Sequence, residues 1–423
     1  MLQLDLTSED FFRDPRPQLR RLRDAGPVVE VKLPLFGRVW MATTQETVAR
    51  VLKDSATFSL RKPDGNVAGI RWWMPGIVRT LASNMLTVDE PDHTRLREIV
   101  EEAFRRRAVL EMEPRIRSIA ETLAGDLFAQ GSPADLVNRY ARLLPVSVIC
   151  ELLGLPLADR PKFMGWAARA TSANSAIRFL RMLPTMVTMR RYLERQLEHA
   201  RQGQGTGLIA ELVAVEKEGA PITRDEMVST IFLLLFAGHE TTTHLISGSV
   251  FELAKNPALR DWLAADWSRA DLAVEEFLRF VCPVQLSKPR YVRQNIDLGG
   301  VQLKRGDQIT AGLASANMDP AANPRPEELD LARKPNRHVA FGTGIHFCLG
   351  HQLARLEAKC ALQALYTRWP RLALAVAPEA IHWLRRPGMR SIISLPVMPS
   401  GNAAVSAAHS AADTSHRAEV ATS

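Results

Sequence analysis

Cysteine is scarce in this 423-residue chain. The four present, Cys150, Cys282, Cys348 and Cys360, show no C-x-x-C spacing. Its absence argues against a zinc site, a ferredoxin-type cluster or a disulfide framework, and fits a reducing cytoplasm. No Gly-x-Gly-x-x-Gly follows a strand pattern, so neither flavin nor nicotinamide binding is indicated. Long apolar runs are missing as well: Ile231 to Gly238 holds eight residues, too few to cross a bilayer. The start, Met1 to Leu6, has no basic region and no long apolar stretch, so neither a signal peptide nor a membrane anchor is expected. The formal charge is +8, but Lys and Arg are scattered and no nucleic-acid motif accompanies them.

What remains describes an ordinary globular protein, 46% hydrophobic and 24% charged, with ample core. No linker divides residues 1–399, which read as one domain expected to be monomeric. Residues 400–423, mostly Gly, Ala, Ser, Thr and His, read as a disordered tail. Periodicity indicates a mainly α fold with a small β part. Residues 8–24 read as a helical entry. A hairpin of 28–33 and 38–43 turns at Pro34 to Gly37, and helical spacing resumes over 44–53. From 105 to 202 the pattern is helical, broken near Gly131, Gly154 and Pro184. Thr223 and Glu226 form a capping box that opens a long helix to about 254. Short strands are expected at 297–299, 301–303 and 308–314.

The stretch that organises the chain is Phe341-Gly342-Thr343-Gly344-Ile345-His346-Phe347-Cys348-Leu349-Gly350. Three glycines remove Cβ atoms where backbone must turn or approach closely. A helical pattern follows at once, with Leu349, Leu353, Leu356 and Leu365 on its apolar face. A thiolate at Cys348 would therefore sit near a helix N-terminus, where the dipole lowers a thiol pKa. Gly342 and Gly344 allow backbone N–H groups near the sulfur, and Phe341 shields one side. Alone, such a cysteine would read as a buried structural residue.

It is not alone. Every position of Phe-Gly-x-Gly-x-His-x-Cys-x-Gly is present, and the stretch resembles the heme-binding loop of the cytochrome P-450 family. Further matches occur in family order: His93 and Arg97 four residues apart, Ala237-Gly238-His239-Glu240-Thr241, Glu276-x-x-Arg279, and Arg290. The resemblance implies a mostly helical prism with a small β-rich part, heme b as cofactor, and Cys348 as the iron ligand. It places His93, Arg97, Arg290 and His346 at the heme propionates, and Phe341, Gly342 and Gly350 in the cofactor loop. It makes Glu276 and Arg279 a buried network closed by a third basic residue. Arg333 is the first choice and His338 the second, although Leu329 stands where the family usually has Phe.

The residues suit that chemistry. Oxygen activation needs protons delivered in a dry pocket. Glu240 is the one carboxylate on the apolar middle of its helix, and Thr241 beside it can hold water or donate a hydrogen bond. Gly238 is expected to leave space for oxygen. A non-catalytic heme-thiolate sensor would not need this pair, and a peroxide-using peroxygenase of the resembled family typically lacks it. Both therefore stand as alternatives to a monooxygenase. Electrons must come from NAD(P)H through separate proteins, by the resemblance a ferredoxin and its reductase. Arg95, Arg105, Arg106, Arg107, Arg355 and Lys359 are expected to frame a basic docking face. The substrate pocket is assigned to Trp72, Trp73 and Met74, the 163–189 segment, Ala237, Val284, Leu286 and Ile392. These are mainly apolar, pointing to a terpenoid, steroid or fatty-acid-like molecule.

Overall fold

Pairing of β-branched residues sets the edge of the main sheet. Val28–Leu33 (β1) runs antiparallel to Gly37–Ala42 (β2), with Val31 opposite Val39. Phe58–Ser59 (β3), Arg290–Val292 (β4) and Gln308–Ala311 (β5) complete five strands in the order β1-β2-β5-β4-β3. β2 and β5 pair in parallel, which brings together segments some 270 positions apart, Trp40 beside Ile309. A second hairpin joins Trp383–Arg386 (β6) to Met389–Ile392 (β7). The computed structural model describes residues 6, 8–33, 37–62, 75–107, 109–171 and 176–399, with backbone alone at 82, 106, 107, 109, 110, 167–171 and 176–182. Trp72, Trp73 and Met74, the turn at 34–36 and the tail from 400 lie outside the described residues.

Helices make up most of the rest. Gln45–Lys53 (α1) starts at Thr44, whose hydroxyl accepts from the Thr47 N–H. Asp92–Arg107 (α2), Leu143–Leu153 (α3), Arg160–Thr171 (α4) and Ala176–Arg201 (α5) follow. Arg224–Lys255 (α6) opens on the expected capping box, with Thr223 and Glu226 exchanging hydrogen bonds. Ala270–Val281 (α7) and His351–Arg368 (α8) lie later in the chain. α6, 32 residues and so about 48 Å long, packs against α3, α7 and α8 and is buried over most of its length.

Two expectations are corrected here. The entry helix is two, Glu9–Arg13 and Arg16–Ala25, because Pro15 cannot continue the first helix but suits the start of the second. Pro184 does not break the chain; it sits inside α5. Proline removes one backbone donor, and the rest of this 26-residue helix continues on either side.

Candidate active site around Cys348

The loop preceding α8 curls on itself. The Cys348 N–H donates to the Phe341 carbonyl at 3.0 Å, and the Gly342 N–H donates to Val339 at 2.8 Å. Gly342 and Gly344 have φ of 67° and 74°, a region that favours glycine. A Cβ on Gly344 would collide with the Leu52 carbonyl at the end of α1, so the loop is seated against that helix. Arg355 holds the other side: its guanidinium lies 4.6 Å over the Phe341 ring and its Nη2 donates to Glu275 of α7 at 3.0 Å. Arg97 of α2 reaches in and donates to the Phe347 carbonyl at 2.7 Å, while also pairing with Glu101.

The expected depression of the Cys348 thiol pKa does not occur. Burial pushes it up, and this outweighs the Gly350 N–H and the charges of Arg97 and Arg355, which act the other way. A helix N-terminus supplies about half a charge, and desolvation of a thiolate exceeds that. A bound metal ion would hold such a sulfur deprotonated.

On α6, Ala237 is exposed and Thr241 partly so, within a helix that is otherwise largely buried. These two positions are one turn apart, and the Thr241 hydroxyl donates to the Ala237 carbonyl at 2.8 Å. The Glu240 carboxylate accepts from Arg386 Nη1 of β6 at 2.7 Å, with both side chains largely covered. Thr243 and Ser249 donate back to carbonyls of α6 itself, one turn earlier, at 2.7 Å. Thr242 hydrogen-bonds Glu357, a fully buried carboxyl group on α8, nine positions after Cys348. Burial pushes the Glu357 pKa up to about 8. Gly238 does not open space beside Thr241, as the sequence suggested. A Cβ there would meet Ile149 Cδ1 at 3.2 Å, so the glycine serves the packing of α3 on α6.

A cluster of nitrogen donors lies beside the loop. His93 and His346 are in edge-to-face contact, ring centroids 4.4 Å apart. Both His93 ring nitrogens, His346 Nε2 and Arg290 Nε are buried without a partner. Burial and the nearby His93 and Arg290 hold the His346 pKa down to about 3. Buried polar groups are normally satisfied, so this set points to an absent acceptor.

A family description, Cytochrome P-450, matches residues 163–270 and 270–369. The chain is 38% identical over 405 residues to a vitamin D(3) 25-hydroxylase of Pseudonocardia autotrophica, covering 93% of this chain and 96% of that protein. This chain belongs to the cytochrome P-450 family. It is also 35% identical over 399 residues to the monooxygenase PikC of Streptomyces venezuelae, covering 94% of each. The solved structure of PksS from Bacillus subtilis superposes with a TM-score of 0.85 at 32% identity, over 94% of this chain and all of that one. The fold is the P-450 fold and the protein is a P-450 monooxygenase, with heme b as cofactor and electrons from NAD(P)H through partner proteins.

The residues present fit that cofactor. The unpartnered nitrogens of His93, Arg290 and His346 suit two carboxylates, and Cys348 supplies a soft sulfur donor on a loop with no Cβ contact at Gly342 or Gly350. When bound, heme activates oxygen, and thiolate ligation favours O–O cleavage.

Behind the loop, Glu276 accepts from both Arg279 Nε and Nη2 at 2.8 Å, from Arg333 Nε at 3.1 Å, from Asn336 at 3.0 Å and from the Asp330 N–H at 2.9 Å. His338 pairs instead with Glu275 at 2.9 Å.

The pocket residues assigned from sequence are spread out. Val284 bridges Met389 of β7, and Leu286 lines a small cavity with Leu19, Leu22 and Met41 near the N-terminal helices. Ile392 is 2% exposed and belongs to the core. Within 163–189, Phe163, Trp166 and Met189 close a small apolar cavity on Leu235 and His239, the side of α6 opposite Ala237 and Thr241. Sequence reasoning missed Glu357 and Arg386. Each acts on the Glu240–Thr242 stretch from more than a hundred positions away, and neither carries a local signal.

Proposed function

We propose that this P-450 inserts one oxygen atom from O2 into a lipophilic small molecule of terpenoid, steroid or fatty-acid type, with electrons delivered by a separate ferredoxin and its reductase. In this reading Cys348 holds the iron. His93, Arg290 and His346 hold the propionates, with Arg97 bracing the loop, and Glu240 with Thr241 delivers protons. The observation that carries it is the uncovered Ala237–Thr241 turn within a buried helix, with a carboxylate beside the hydroxyl and Arg386 countering its charge. The pair favours monooxygenation over peroxide use or ligand sensing. A relative named as a vitamin D(3) 25-hydroxylase and solved neighbours holding myristic acid or testosterone support a lipophilic substrate class. Four free cysteines support a reducing cytoplasm, and no described helix is long and apolar enough to cross a membrane.

Two variants test the assignment. Cys348→Ser should abolish the reduced carbon-monoxide band of thiolate-ligated heme. Thr241→Ala should keep that band and substrate binding, yet lower product formed per reductant consumed by about tenfold or more, the range for loss of positioned proton transfer. Unchanged coupling in Thr241→Ala would remove Thr241 from the proton route.

A further inference from the structure

A cleft of about 170 Å³ lies where the junction of the two entry helices meets the C-terminal ends of α6 and α7. It has no part in the reading above: none of its lining residues belongs to the Cys348 loop or to the Ala237–Thr241 turn. A water needs about 10–15 Å³ of such space, so the cleft has room for a small molecule. Phe251 of α6, Phe280 of α7, Pro15 and Pro378 give it apolar walls, and every other lining residue is charged. Most of those charges are already engaged. The Asp14 carboxylate accepts from Arg16 Nε at 2.7 Å and Nη2 at 2.9 Å. Glu252 pairs with Lys255 at 3.1 Å, and Glu379 is exposed at the rim. Arg390, on β7, is left over. It is 5% exposed. Its Nε donates to the Phe12 carbonyl at 2.9 Å, its Nη2 to the Arg13 carbonyl at 2.8 Å, and its guanidinium lies 4.2 Å over the Trp383 ring. Among the described residues its Nη1 has no hydrogen-bond partner and no carboxylate is in ion-pair contact with it. Burial pulls its pKa down, and Glu252 and Asp14 oppose this only through space. The neighbouring Arg13 Nε, in the same cleft, is buried with no partner.

A guanidinium is almost never buried without a counterion, and backbone carbonyls supply acceptors but no net charge. We propose that this cleft binds a small carboxylate with an apolar body, its charge met by Arg390 and Arg13 and its body packed on Phe251, Phe280 and the two prolines. The lining agrees in sign, with four cations against three carboxylates. A dianion such as phosphate fits less well, because Asp14 and Glu252 stand near Arg390 and repel a second negative charge.

Calorimetry on the holoenzyme tests it, with benzoate and benzyl alcohol as probes and imidazole saturating the iron to block binding over the heme. Benzoate should bind with a Kd of about 10 mM or tighter, the scale of one charge-assisted contact plus a small apolar body. Benzyl alcohol should bind at least about tenfold more weakly. Arg390→Met should weaken benzoate by about tenfold or more while the alcohol changes little. That variant also frees the Phe12 and Arg13 carbonyls and can fail to fold, so a second one at an exposed position is needed. Glu379→Arg replaces a repelling charge with an attracting one. It should tighten benzoate by about two- to fivefold at low salt and lose the gain near 1 M salt. If Arg390→Met folds and binds benzoate like wild type, or if Glu379→Arg leaves that affinity unchanged, the proposal is wrong. It is equally wrong if the imidazole-bound enzyme takes up no benzoate, or takes up acid and alcohol alike.

Discussion

Glu357 is a carboxyl group among apolar neighbours, 2% exposed, with the Thr242 hydroxyl as the hydrogen-bond partner that acts on it. Burial raises its pKa from 4.5 to about 8, so at neutral pH the folded protein keeps a proton that the unfolded chain releases. The sign follows from that difference. Below about 4.5 both states hold the proton and Glu357 carries no penalty. As pH rises toward 8 the unfolded state is progressively favoured, with a slope of up to about 1.4 kcal/mol per pH unit. Glu357→Gln keeps the shape and removes the titration. Its stability relative to wild type should therefore climb between pH 5 and 8 and level off above, as read from urea unfolding at fixed temperature. A difference that stays flat across that range would mean Glu357 is ionised in the folded protein. Cys348 shows the same balance between burial and a weak local dipole, and there too burial prevails.

At the level of elements, what could be read from the sequence follows the range of the interaction. The Thr223–Glu226 capping box, the 28–42 hairpin and the glycines of the Cys348 loop are encoded within a few residues, and the chain forms them where the spacing puts them. Pro184 is local too, but its signal is only a lost hydrogen bond, which the rest of a long helix overrides. The reach of Arg386 to Glu240 spans 146 positions and that of Arg333 to Glu276 spans 57. No periodicity encodes such pairs; Arg333 was legible only through the family resemblance, and Arg386 not at all. The Glu276 network is the sharpest case of an element held by one residue. Glu276 and Arg279 are both fully buried, and Arg279 and Arg333 also donate to the carbonyls of Asn317, Pro324, Pro326 and Glu328. These contacts pin the 317–339 chain that feeds the cysteine loop, where Val339 N–H meets Asn317 Oδ1 at 2.7 Å. Glu276→Ala would strand two guanidiniums without a counterion and should cost about 3–5 kcal/mol, with earlier heme loss on warming. Glu276→Gln, which keeps acceptor capacity, should cost less. A loss under about 1 kcal/mol for Glu276→Ala would show that the backbone carbonyls alone suffice.

For the whole molecule, the net charge of +8 suggests an acidic redox partner, yet the described cations named for its docking face are not free. Arg95 pairs with Glu226, Arg105 with Glu102, Arg355 with Glu275 and Lys359 with Asp271. Arg355 is better understood as a clamp on Phe341 than as a docking group. Lys359 is different: it sits on α8 about 12 Å along the axis from the helix start beside Cys348, and its partner Asp271 is 76% exposed. A long-range field counts net charge, so the Asp271 carboxylate subtracts what Lys359 adds. If an acidic ferredoxin approaches here, Asp271→Asn should speed the first reduction at low salt and Lys359→Gln should slow it. Each change should be about two- to fivefold, the range for an exposed charge worth up to about 1 kcal/mol. Reduction by dithionite should be the same in all three proteins. Both effects should vanish near 1 M salt, where screening falls to about 3 Å. Rates that ignore both substitutions at low salt would place the donor on another face, one that does not feel the charges of Lys359 on α8 and Asp271 at the start of α7.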